Sequence, residues 1–192
     1  MRITLLFLFI ILSIHCNSQT MNYKITSKET TIGNLSVKRT ADNNTVQIEV
    51  LSEIEVKLFI TIDIKYKLNS TYKNNELFFS SVTTYVNDKV NSITTTKKNE
   101  EYYSVTKDEH STKYLNEIKI SDALLYFVEP KGMTKLFSEF DGISKSIKKI
   151  GKNEYQIRNP KNGNVGEYQY KNGILQSSIN YHNLMTFSLT KL

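Results

Sequence analysis

Val46-Gln47-Ile48-Glu49-Val50-Leu51-Ser52-Glu53-Ile54-Glu55-Val56-Lys57-Leu58-Phe59-Ile60-Thr61-Ile62-Asp63-Ile64-Lys65-Tyr66-Lys67-Leu68 alternates along its whole length. Every even position except Ser52 is apolar or aromatic, and the odd positions are mostly Glu, Lys, Asp, Gln or Thr. A period of two places one set of side chains in a core and the other in water, the signature of a strand with one wet face. One straight strand of that length would run roughly 75 Å at about 3.3 Å per residue. That is wider than a domain of this size. The segment must therefore bend sharply or fold back, near Ser52 or at Lys57-Leu58. Leu51 and Phe59, the apolar residues at odd positions, mark those two places.

Hairpin signals continue downstream. Tyr72-Lys73-Asn74-Asn75 leads into an apolar stretch from Leu77 to Val86, Asn87-Asp88 into Val90 to Thr96, and Asn99-Glu100 into Tyr102 to Thr106. Gly151-Lys152-Asn153, Lys161-Asn162-Gly163 and Lys171-Asn172-Gly173 mark three further turns, with strands read at 154–158, 166–170, 175–181 and 184–191. Asn-Asn and Asn-Gly accept the positive φ angles that two-residue hairpins demand. The run Tyr72-Lys73-Asn74-Asn75-Glu76-Leu77 is echoed by Tyr170-Lys171-Asn172-Gly173-Ile174-Leu175, each followed closely by a Ser-Ser pair. With a single match, this reads as two hairpins sharing one turn chemistry rather than as a repeat architecture.

One segment breaks the β pattern. Ser121-Asp122 can cap a short helix from Ala123 to Val128, which Pro130 must end. After Lys131-Gly132, the residues Met133, Leu136, Phe137 and Phe140 fall on one helical face before Asp141-Gly142. A helical segment over 121–140 with so bulky an apolar face must cover something apolar, most simply the concave face of the sheet.

The chain's beginning gives an address. Arg2 precedes an apolar run from Ile3 to Ile14, followed by the polar His15-Cys16-Asn17-Ser18-Gln19. That order and length fit a secretory signal peptide over residues 1–19, and fall short of the roughly 20 apolar residues a spanning helix needs. The expectation is cleavage after Gln19 and a single domain over residues 20–192. Lipidation of Cys16 is the weaker reading, because a lipoprotein signal wants a small residue where His15 stands. Cys16 is the chain's only cysteine, so its loss would leave the exported domain without disulfides. The expected destination is outside the cytoplasm.

Composition narrows the function classes. The net charge of +6 is spread as single lysines, with no block denser than Lys97-Lys98 or Lys148-Lys149. Export and dispersed charge argue against nucleic acid. The bland reading of the basic excess is a solvated surface, and the sharper one is weak attraction to an anionic surface such as lipid headgroups. No Gly-x-Ser-x-Gly motif and no zinc spacing occur. Beyond the first segment the only histidines are His110 and His182, and Gly163-Asn164-Val165-Gly166 lacks the pattern of a phosphate loop. Asp122, Glu129, Glu139 and Asp141 bracket the helical segment, where caps and solvated faces explain them more simply than an acid/base pair. The many tyrosines sit mostly in predicted strands. No catalytic residue, cofactor or metal site is assigned, and the chain is not read as an enzyme.

The segment Ser121-Asp122-Ala123-Leu124-Leu125-Tyr126-Phe127-Val128-Glu129-Pro130-Lys131-Gly132, continuing through Phe137-Ser138-Glu139-Phe140-Asp141-Gly142, carries a resemblance. So do Ile64 to Leu68, Asn159 to Gly163 and Tyr170 to Leu175. They resemble a family of exported proteins from bacteria with two membranes, defined only as a domain of unknown function, across nearly all of the chain after the first segment. The resemblance carries no activity and no site residues. A looser likeness, of pattern alone, is to periplasmic half-barrels of the lipoprotein-carrier kind, which hold acyl chains against a curved sheet.

The expected architecture is mainly β: a strongly curved antiparallel sheet, an open or incomplete barrel, with the helical segment 121–140 on its concave face. The turn signals predict about nine to eleven strands. Ile60, Ile62, Ile64, Leu124, Phe127, Met133, Leu136, Phe137 and Phe140 are the candidate core or apolar-ligand residues. Two functions follow. In the first, the concavity binds a lipid or acyl chain in an apolar cavity of a few hundred Å³. In the second, the protein is a non-enzymatic structural or interaction module of the envelope, with a filled core and an exposed edge or apolar patch for another protein.

Overall fold

A computed structural model describes residues 17–57, 60–182 and 185–192. The apolar run of the first segment, Cys16, Leu58, Phe59 and Leu184 lie outside the described residues. The described residues form fourteen strands in one antiparallel sheet. They are β1 (Asn17–Ser27), β2 (Thr30–Asp42), β3 (Thr45–Lys57), β4 (Thr61–Lys73), β5 (Glu76–Val86), β6 (Lys89–Lys98) and β7 (Tyr103–Lys107). Then come β8 (His110–Tyr114), β9 (Lys135–Ser138), β10 (Ile143–Gly151), β11 (Glu154–Arg158), β12 (Val165–Lys171), β13 (Ile174–Tyr181) and β14 (Thr186–Lys191). Spatial order runs from β8 down to β1, then from β14 down to β9, so the first and last strands pair in the middle of the sheet.

The alternating segment folds back on itself between Lys57 and Thr61, the second of the two expected places. Lys57 pairs with Thr61, Val56 with Ile62 and Ile54 with Ile64. Because an odd number of residues separates Lys57 from its partner Thr61, even residues pair with even ones. The inward face therefore keeps its parity through the turn, which is why two strands read as one unbroken pattern. Ser52 is no bend: it sits inside β3, opposite Leu35 and Tyr66, and is buried. Gly33 on β2 permits this pairing, since a Cβ there would lie 2.0 Å from the Glu53 carbonyl oxygen.

The count of fourteen exceeds the nine to eleven expected. β8, His-Ser-Thr-Lys-Tyr, has no apolar residue to signal a strand. The segment Met133 to Phe140 corrects the helical reading. Only Asp122–Tyr126 is helical, as a short 3-10 turn, and Lys135–Ser138 is strand. The nine residues between Gly132 and Gly142, both at positive φ, are too few for periodicity to separate strand from helix. Leu136 and Phe137, neighbours in sequence, are both buried because β9 is covered on more than one side. The Phe137 amide donates to the Ile120 carbonyl, and its ring lies 5.0 Å from that of Tyr114.

The two ends of the sheet approach without a shared ladder: the Tyr114 ring of β8 packs on the Phe137 ring of β9, Tyr114 OH and Ser144 Oγ of β10 are 2.6 Å apart, and Thr94 Oγ1 of β6 donates to the Phe140 carbonyl. The sheet is thus a barrel that is not closed. One hydrophobic core joins the inward residues of nearly every strand to Ile118, Ile120, Ala123, Leu125, Leu136 and Phe137 from the segment across the concave face.

Candidate functional site

The most chemically distinct place in the molecule is the seam where residues 118–145 meet β4. The sequence puts Ser70 and Tyr72 at even, inward positions of β4, so a hydroxyl pair enters the core. Opposite them, the chain entering the 3-10 turn brings Ser121, and the end of β9 brings Glu139. Ser121 makes no capping bond with its side chain. Its hydroxyl instead donates to Glu139 Oε1 and bonds with Tyr72 OH. Ser70 Oγ and Tyr72 OH each lie 3.3 Å from the same carboxylate oxygen, while Oε2 has no partner.

Glu139 is fully buried. Burial first, and the nearby Asp122 carboxylate second, push its pKa up to about 7, against the opposing effect of the Ser121 hydroxyl and the backbone amides of Glu139 and Ala123. Beside it lies an ion cluster. Lys145 Nζ is 3.0 Å from Asp122 Oδ2 and 3.3 Å from Asp141 Oδ2. Asp141 also accepts from Ser138 Oγ and Asn159 Nδ2, each at 3.0 Å. Burial works against the Lys145 ammonium, but the Asp122 and Asp141 carboxylates outweigh it and hold its pKa above the usual lysine range. Burial likewise raises Tyr66, Tyr72 and Tyr126 well above the ordinary tyrosine value.

A second buried carboxylate, Glu129, accepts from Tyr155 OH at 2.8 Å and meets Lys131 at 3.3 Å. Caps and solvated faces therefore do not describe Glu129 and Glu139, which are interior groups with hydroxyl partners. Sealed from solvent, Glu139 can hold or release a proton while joining three elements. His110 is exposed on β8, and His182 stacks on Phe187 with Nδ1 3.1 Å from Asn164 Nδ2. No group of three or more His, Cys, Asp or Glu side chains placed to hold a metal occurs among the described residues.

The predicted apolar residues separate into four groups. Leu136 and Phe137 are in the core, and Leu124, Phe127 and Phe140 pack on its margin. Ile62 and Ile64 are half-buried on β4, outside that core, and Ile60 is 68 % exposed. The reason is reach: the β3–β4 hairpin projects past its neighbours, since β2 pairs only to Ile54 and β5 only to Ile64. Met133, expected on a helix face, is 37 % exposed in the turn before β9. Ser70, Tyr72, Ser121 and Lys145 were missed. The available signal was parity: Ser52 and Ser70 are polar residues at inward positions of an otherwise apolar face.

Under the 121–140 segment, the side chains of Leu125, Leu136 and Phe137 are buried in the core. A cleft of about 730 Å³ runs across the sheet beside outward residues of β1–β4, including Asn22, Ser36, Leu51 and Lys67, and the terminal Leu192. Among the described residues, no helix is long and apolar enough to cross a membrane.

A family model described as a domain of unknown function, DUF6134, matches residues 23–190. No curated protein matches the chain. Among solved structures it is similar to a beta-barrel-like protein of domain of unknown function DUF1849 from Brucella abortus. That match has a TM-score of 0.59 and 8 % identity, and covers 90 % of this chain and 95 % of that one. At so low an identity the likeness is one of fold.

Proposed function

We propose, from the premise that this chain belongs to the DUF6134 family, that it is an exported, non-catalytic module of the cell envelope that acts through its outer surface rather than through a ligand held inside. The observation that carries this reading is the filled concavity. Leu125, Leu136 and Phe137 are each buried to within 2 % exposure against the inward faces of the strands. An acyl chain there would have to displace them, and removing one such side chain from a core costs about 2–5 kcal/mol. Sealed carboxylates joined to hydroxyl groups of neighbouring elements suit a structural seam better than a reaction centre. The apolar run that follows Arg2 supports export, with the periplasm or the outer membrane as destination.

Native mass spectrometry of protein exported with its own first segment, followed by organic extraction, tests both halves. The expected result is a chain beginning at Thr20, free of lipid. Such a cut would remove Asn17, Ser18 and Gln19, which pair with Arg39, Thr40 and Ala41 but expose their side chains. A fatty acid or phospholipid recovered from the interior at one per chain would overturn the reading in favour of a carrier, and an uncut chain would overturn export.

A further inference from the structure

The two hairpins that echo each other in sequence share a backbone and differ in what they show to solvent. In β4–β5, Tyr72 pairs with Leu77 and Thr71 with Phe79, leaving Phe78 as the extra residue of a bulge. In β12–β13, Tyr170 pairs with Leu175 and Gln169 with Ser177, leaving Gln176 in the same place. A bulge sets two consecutive residues opposite one. Here it brings both Phe78 and Phe79 to the surface, at 38 % and 37 % exposure. The twin hairpin carries Gln176 and Ser177 at those positions, so the turn and bulge do not require aromatic rings.

Around the two rings stand lysines. Lys73 Nζ lies 3.8 Å from the Phe78 ring centroid, Lys97 pairs across the sheet with Phe79, and Lys113 follows along the same row through Ser104. None of these three is in an ion pair among the described residues. Glu76, the carboxylate of this hairpin, is occupied by Lys98 and Tyr103. The exposed acids Glu100 and Glu101, in the β6–β7 turn, bound the patch on one side.

We infer that the Phe78-Phe79 bulge is a docking point for an anionic lipid surface, with the rings entering the headgroup boundary and Lys73, Lys97 and Lys113 meeting the phosphates. The choice of occupant follows from size and charge. Two half-exposed rings amid Thr71, Ser81 and Thr95 are far smaller than the roughly 800 Å² per partner of a stable protein interface. Peripheral attachment to a bilayer combines buried apolar area with attraction to anionic headgroups, about 1 kcal/mol per lysine near the surface, and this patch offers both. The inference rests on the surface-acting reading above.

The chain has no tryptophan, so Phe78→Trp places a single indole reporter in the patch with little change of shape. Its emission should shift to the blue on adding vesicles of phosphatidylcholine with phosphatidylglycerol, while Gln176→Trp in the twin hairpin stays unshifted. In co-sedimentation, the double change Phe78→Gln and Phe79→Ser, which copies the twin, should weaken binding roughly tenfold. Lys97→Gln with Lys113→Gln should weaken it on anionic vesicles only. Absence of wild-type binding, an unshifted Phe78→Trp, or a double variant that binds like wild type would overturn the inference, as would a protein partner captured at the patch in place of vesicles. A lipid that stays in the organic extract of the double variant sits in the interior and counts against the surface-acting reading. A lipid-free interior with no vesicle binding removes this inference alone.

Discussion

The β4–β5 and β12–β13 hairpins show how one backbone solution serves two ends. Both turn on two residues at positive φ, Asn74-Asn75 and Asn172-Gly173, both bulge at the same place, and both bury a tyrosine against its leucine. Inside, they diverge. Tyr72 bonds with Ser121 and reaches Glu139, whereas Tyr170 OH is buried with no partner. Outside, one shows two phenylalanines and the other Gln and Ser. The shared part is local chemistry, and the divergent part depends on what the rest of the chain brings alongside.

The largest expected effect concerns pH, and of the two hairpins it should strike β4–β5 the harder. Glu139 has a folded pKa raised from 4.5 to about 7. Its contribution to stability is therefore fully present below its ordinary pKa and is lost as pH rises through about 7, by an amount on the order of a few kcal/mol. Amide exchange at Leu77 should speed up between pH 5 and pH 8 more than at Leu175. In Glu139→Gln the melting temperature, relative to wild type, should rise over the same interval. A difference that stays constant with pH would show that Glu139 does not titrate there.

A middle-sized effect separates the tyrosines by sign. Tyr72→Phe should cost about 1–3 kcal/mol, because it leaves Ser121 and Glu139 short of a partner in the core. Tyr170→Phe removes a buried hydroxyl that bonds to nothing, and should be neutral or stabilising by up to about 1 kcal/mol. Equilibrium denaturation in urea measures both, and equal losses would break the contrast. The smallest effect is at the turn. Asn75→Gly makes the first turn match the second and should raise stability by no more than about 1 kcal/mol, since glycine meets positive φ without steric cost.

Much of the sheet was legible because its signals are local. Alternation from Val46 to Leu68 and the asparagine-rich turns named most of β3 to β7 and β11 to β14. Strands such as β8 and β9 stayed hidden, one for lack of apolar residues and the other because a four-residue strand between turns imitates a helix face. Of the candidate apolar residues, Leu136 and Phe137 reached the core and Ile60 did not, since nothing in the alternation says where neighbouring strands stop. The polar seam was barely legible: Ser70 and Tyr72 look like ordinary strand residues until Ser121 and Glu139 arrive from far along the chain.

By itself the sequence determined the class of structure and its handiwork at short range. Side-chain direction alternates with every residue, and positive φ selects Asn and Gly, so strands, turns and the inward face follow from neighbours in the chain. Tertiary structure alone decided that the concavity is filled, that Glu139 is sealed with a pKa near neutrality, and that Phe78 points outward. Each of these depends on which distant segment lies alongside and in what register, and a one-residue change of pairing at the bulge moves a side chain from the core to the solvent.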